Sequence, residues 1–127
     1  METSKLATVE IKAFVPARDF ELSKKFYVAL GFKIPWSDEH LAYVHFGDTS
    51  FLLQDFYVED HCKNFVMHLL VENVDEWWRH VQAKNIAHEF SANVGELKDQ
   101  PWGMREFIII DPSGVLWHVA QNTAPKP

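Results

Sequence analysis

A single cysteine, Cys62, stands in these 127 residues, so the chain can close no internal disulfide. Together with Asp60 and His61 it makes too compact a cluster for a structural zinc site, and a reduced thiol in a connecting loop is the expectation. Long apolar runs are lacking as well: none approaches the length that crosses a bilayer, which argues against a membrane-spanning helix. The opening METSKLATVEIK shows no basic segment followed by an apolar stretch, and a cytoplasmic protein is implied. Positive charge is scarce. Twelve Lys and Arg against 18 Asp and Glu leave a net charge of −6, which speaks against nucleic acid as a partner and mildly for cationic ones.

What is present is the material of one globular domain spanning 1–127. Hydrophobic residues make up 47% and charged residues 24%, enough for one real core but not for two independent ones. Aromatics are abundant at 14%, with ten Phe and five Trp, and they point to a dense core, a stacking surface for a flat ligand, or both.

The periodicity predicts one unit written twice. Val9 to Val15 alternates as a strand that Pro16 ends. Asp19 caps a helix over about residues 20–30 with Leu22, Phe26, Tyr27 and Leu30 as its apolar stripe, and Gly31 stops it. Strands follow at Phe32 to Trp36, Leu41 to Phe46 and Ser50 to Phe56. The order recurs from Phe65: a strand to Val71, Asn73 as N-cap, a helix with Val74, Trp78 and Val81 inward, and Asn85 as its C-cap. Strands at about Ala87 to Ser91, Arg105 to Ile110 and Val115 to Ala120 complete it. A shift of 54 lays Asp19 on Asn73 and Gly31 on Asn85, whereas the last strands need a shift of 64. The second copy therefore holds about ten extra residues, assigned to a loop over Ala92 to Trp102.

Two stretches carry a family resemblance. Pro101-Trp102-Gly103-Met104-Arg105 followed by Asp111-Pro112-Ser113-Gly114-Val115-Leu116-Trp117 resembles a W-G-x-R … D-P-x-G-x-x-W signature. Asp19, Ser23, Phe26-Tyr27, Leu30 and Gly31-Phe32 resemble D-x-x-x-S-x-x-F-Y-x-x-L-G-F. Both are motifs of the vicinal-oxygen-chelate superfamily, and the chain looks most like its bleomycin-resistance branch. The resemblance implies an α+β fold of two βαβββ modules, about 8–56 and 65–121, with curved mixed sheets, usually assembled as a homodimer with ligands near the module interfaces.

In the superfamily's enzymes, His, Gln or Glu on the first and last strands of the modules hold a divalent metal such as Mn, Fe or Ni. The matching positions here are Lys12, Gln54, Val66 and His118. A protonated ammonium and a hydrocarbon offer no lone pair, so the resemblance implies no metal at that position and no cofactor. A metal-free small-molecule binder follows, with Phe14, Trp36, Gln54, His68, Trp102, Arg105, Trp117 and His118 as its ligand-binding residues and no catalytic one. The aromatic members would offer flat faces to heteroaromatic rings, and Asp55, Glu59, Asp60, Glu96 and Asp99 would draw in a cation. Trp77 and Trp78 are read as helix packing. The rival reading is a lyase, isomerase or dioxygenase with a shifted metal set of Gln54, His68 and His118, or acid–base chemistry through His118 and Glu106. A structural or regulatory interaction domain is a third class that the fold accommodates.

Overall fold

A computed structural model describes residues 6–123. Met1 to Lys5, part of the opening read above for a leader, lie outside them. The elements run β1 (Phe14–Ala17), α1 (Phe20–Leu30), β2 (Lys33–Ser37), β3 (Leu41–Phe46), β4 (Thr49–Asp55), α2 (Glu59–Lys63), β5 (Val66–Leu70), α3 (Val74–Ala83), α4 (Ile86–Glu89), β6 (Asn93–Val94), β7 (Lys98–Gln100), β8 (Met104–Ile110) and β9 (Leu116–Asn122). The first sheet has the order β1-β4-β3-β2 and the second β5-β9-β8-β6, with β7 also on β8. In each, one parallel pair, β1 with β4 or β5 with β9, joins an otherwise antiparallel set. The mixed sheets of two βαβββ modules are thus present in both halves.

The helix signals act as the sequence indicates. Asp19 accepts the Leu22 N–H at 3.1 Å and Asn73 accepts the Glu76 N–H at 3.1 Å, satisfying amides that a helix start leaves free. Gly31 takes φ 115°, and a Cβ there would also stand 2.9 Å from the Phe46 ring, so both conformation and space demand glycine.

Departures from the predicted elements have local causes. The first strand begins at Phe14, not Val9, because β4 offers it ladder partners only over Phe14 to Ala17; Val9 and Ile11 lie almost fully exposed upstream. Pro16 sits inside this strand, tolerated because β1 is a sheet edge where a missing N–H breaks no ladder bond. Ala87 to Ser91 is no strand: Asn85 turns left-handed at φ 53°, and Ile86 alone anchors the short helix α4 while Ala87, His88 and Glu89 stay exposed. Ala and Glu favour helix over strand, which fits. The predicted loop over Ala92 to Trp102 carries β6 and β7, both paired to β8. The short helix α2 is an addition, and it buries Cys62.

Alternation then sorts each sheet into two faces. Val15, Ala42, Val44, Phe51 and Leu53 of the first sheet and Phe107, Ile109, Trp117 and Val119 of the second are buried with Phe26 and Tyr27 of α1. The modules lock together at the Asp111-Pro112-Ser113-Gly114 turn. Tyr27 Oη donates to Asp111 Oδ2 at 2.6 Å and accepts from Trp117 Nε1 at 2.9 Å, while Asp111 Oδ1 receives the Ser113 and Val115 amides, each at 2.9 Å. The Arg18 amide donates to Ser113 Oγ at 2.8 Å. Removing the phenol oxygen would strand a buried acceptor and a buried donor at once. Tyr27→Phe is accordingly expected to lower stability by roughly 2–4 kcal/mol in urea unfolding with the slope unchanged. A loss under about 0.5 kcal/mol would mean that this lock is dispensable.

Candidate functional site

The faces opposite the core are the chemically distinctive ones. On the first sheet the pairings Phe14 with Leu52, Pro16 with Gln54, Trp36 with Tyr43, Leu41 with Gln54 and His45 with Ser50 put these side chains on one open face. Phe14 and Trp36 are about half exposed there, and the Tyr43 and His45 rings lie nearly parallel, 16° apart in plane with centroids 5.7 Å apart. Strand alternation groups Glu10 with Lys12 and Phe14, although the sequence reading did not count it among the ligand-binding residues. Its carboxylate receives Lys12 Nζ at 2.8 Å, Tyr43 Oη at 3.2 Å and the Ser50 hydroxyl. The Lys12 ammonium first and the Ser50 hydroxyl second hold the Glu10 carboxyl below the usual carboxylate range, so it is charged at neutral pH.

On the second sheet, register places His68 directly opposite His118, with Ile108 and Ile110 across β8 on the same open face. The two imidazole planes are 18° apart, with centroids 6.4 Å apart. Glu106, 6% exposed, lies 3.0 Å from His118 Nδ1 through Oε2. Beside it, β8 and the inserted segment enclose a recess of about 260 Å³ to which Gly95, Lys98, Glu106 and Ile108 contribute. The Gly95 amide donates to Ile108 O at 2.9 Å, and a Cβ on Gly95 would stand 2.9 Å from Ile108 Cγ1, so the insertion can lie this close only with glycine there.

Of the ligand-binding residues read from sequence, Phe14, Trp36 and Gln54 thus share one open face, and His68 and His118 share the other. Trp102 is 63% exposed at the turn between β7 and β8. The other two lie away from these faces. Trp117 points the opposite way from His118 on β9 and is 4% exposed, its ring packed among Tyr27, Phe32 and Phe51 as part of the core. Arg105 faces α3, and its guanidinium is held by Asp75 of α3 at 3.2 Å and Asp99 of β7 at 3.2 Å. Asp99 is therefore engaged with Arg105, and Glu59 lies 3.6 Å from Lys63, so neither is an unpaired lure for a cation. Trp77 and Trp78 pack as read: Trp77 meets Phe46 at 5.1 Å and Trp78 Nε1 donates to Gly95 O at 3.1 Å. A separate recess of about 340 Å³ opens between the end of α1, the β3–β4 turn and α3, lined by Leu30, Gly31, Phe46, Glu76, Trp77 and His80.

The residues at the superfamily's metal position do not fit a divalent ion. Lys12 carries its own positive charge and is committed to Glu10, and Val66 presents hydrocarbon. Among the described residues no group of three or more His, Cys, Asp or Glu side chains is placed to hold a metal. Of the shifted set, His68 and His118 stand together on the second sheet and Gln54 on the first. No helix among the described residues is long and apolar enough to cross a membrane.

A family model described as the Glyoxalase/Bleomycin resistance protein/Dioxygenase superfamily matches residues 7–119. No curated protein matches the chain in sequence. Among solved structures, a bleomycin-binding protein complexed with bleomycin is 24% identical with a TM-score of 0.77, over 91% of this chain and 99% of that one. The antibiotic-binding protein TnmS3 from Streptomyces sp. CB03234 is 25% identical with a TM-score of 0.70, over 91% and 98%. Lactoylglutathione lyase from Agrobacterium tumefaciens, an enzyme, is 18% identical with a TM-score of 0.67, over 91% and 94%. With nearly the whole chain matched and the same two-module fold shared, this protein belongs to the Glyoxalase/Bleomycin resistance protein/Dioxygenase superfamily.

Proposed function

We propose that this protein binds a flat, cationic or zwitterionic small molecule of antibiotic type and sequesters it without chemical change. The observation that carries the reading is the composition of the two open sheet faces, where uncovered aromatic rings stand with carboxylates. Phe14, Trp36 and Tyr43 accompany Glu10 on one, and His68 and His118 accompany Glu106 on the other. Flat apolar rings favour a planar ligand, and the Glu10 carboxylate, held in its charged form, favours a cation. Gln54 supplies an amide to the same wall, and Trp102 supplies a lip that a ligand can stack on. The neighbours named as binding bleomycin or an antibiotic support this reading. A metal-dependent enzyme of the lyase's kind needs a ligand set that Lys12 and Val66 do not provide.

The functional form in this proposal is a homodimer in the cytoplasm, where the Cys62 thiol stays reduced. Val9 and Ile11 project almost fully into solvent, and Val66 and Leu70 are half exposed on β5, an edge strand of the second sheet. A second copy covering these apolar positions turns open faces into the walls of an enclosed cavity.

Titration with metal-free bleomycin and a panel of cationic heteroaromatics should give saturable quenching of tryptophan fluorescence at one ligand per chain. Trp36→Ala and Trp102→Ala should each weaken binding by about 1–3 kcal/mol. Because Trp102 is exposed, its replacement should leave the melting temperature nearly unchanged. A panel without saturable quenching, or a ligand consumed catalytically, would remove the proposal. Sedimentation at micromolar concentration should show twice the chain mass; a monomer would leave the cavity without its second wall.

A further inference from the structure

Glu106 is the one carboxylate among the buried side chains of the second sheet's open face, and it does not stand alone. Among the described residues its side chain is bonded to one other, the His118 imidazole, whose Nδ1 lies 3.0 Å from Oε2. The contact leaves Nδ1 facing the carboxylate, so in the tautomer in which Nδ1–H donates to Glu106 the lone pair lies on Nε2. Around the imidazole stand Ile108 across β8 and His68 across β5, while Ala120 is buried two residues along β9. Neither Ile108 nor Ala120 has a side-chain group to satisfy Nε2. The His118 side chain keeps about a third of its surface open, so this acceptor is turned to whatever occupies the face.

We propose that His118 Nε2 accepts a hydrogen bond from an N–H of the ligand's cationic group, with Glu106 behind it orienting the ring. Glu106 is then a positioning residue: it fixes the tautomer that makes His118 an acceptor. This rests on the binding reading above and narrows its ligand class. Amidinium, guanidinium, imidazolium and protonated amines can donate to Nε2 and gain a charge-assisted bond. A quaternary cation of the same flat shape has no N–H; it strips water from Nε2 and returns nothing, which is how a site built for a hydrogen bond rejects an analogue lacking the donor.

Two fluorescent probes separate these classes: DAPI, a flat aromatic bis-amidine rich in N–H donors, and thioflavin T, a flat benzothiazolium cation without any. Titrations carried out in EDTA remove metal ions as a bridge between His68 and His118. The wild type should bind DAPI at least about tenfold more tightly than thioflavin T. His118→Phe, which keeps a flat ring, and Glu106→Gln, which keeps the shape, should each abolish most of that preference by weakening DAPI alone. Long-range proton–nitrogen spectra of the free wild-type protein should show His118 protonated on Nδ1, a signature that a merely structural Glu106 contact does not require and that Glu106→Gln should shift. Should DAPI bind equally well to wild type and both variants, or His118 carry its proton on Nε2, the inference falls while the binding reading stands. Should neither dye bind, the binding reading falls and this inference with it.

Discussion

The phenol of Tyr27 is the point on which the two modules depend. It comes from the helix of the first module, gives its proton to Asp111 in a turn of the second, and takes one from Trp117 on that module's last strand. Burial, followed by the neighbouring Asp111, pushes the phenol well above its ordinary range, so it remains a donor at every working pH. Burial likewise pushes the Asp111 carboxyl up, opposed by the bonds from Tyr27, Val115 and Ser113. Such a buried polar set is costly unless fully satisfied, and no buried side-chain nitrogen or oxygen among the described residues lacks a partner. With α1 fixed against this turn, the helix-facing sides of both sheets become core. Their other sides stay open.

The motif residues make sense in these terms. Phe26-Tyr27 and the D-P-S-G and Trp elements sit 80 or more positions apart in sequence, yet they form one hydrogen-bonded and edge-to-face aromatic unit. The motif residues therefore report how the modules join, which is separate from what a ligand touches. Trp117 illustrates the difference: a conspicuous aromatic beside a candidate histidine was read as a wall, but strand alternation turns neighbours to opposite faces. Arg105 is similar, since its motif position serves the ion pairs that tie the insertion to α3.

Local signals with a single physical cause were legible. Asp19, Asn73 and Gly31 bound their helices because caps and left-handed stops act within a turn, and β3 falls where alternation put it. What was not legible depends on long-range partners. Val9 to Ala13 has a strand's pattern, but the ladder with β4 begins only at Phe14, and the insertion's β6 and β7 are both paired to β8. The candidate faces were partly legible for the same reason. Period two grouped His68 and His118 with their strands, whereas the bonding of Glu10 to Tyr43 and Ser50 spans 33 and 40 positions and had no sequence signal at all.

In the proposed function, ligands meet this protein on the open faces of its sheets, not in the recess among Phe46, Trp77 and His80. Backbone and side-chain chemical-shift mapping of the labelled protein during titration with DAPI tests it most directly. Perturbations gathered on Phe14, Trp36, Tyr43, Gln54, His68 and His118, with the helix-side recess silent, are the predicted result. Perturbations centred on Trp77 and His80, with the sheet faces unchanged, would contradict the account.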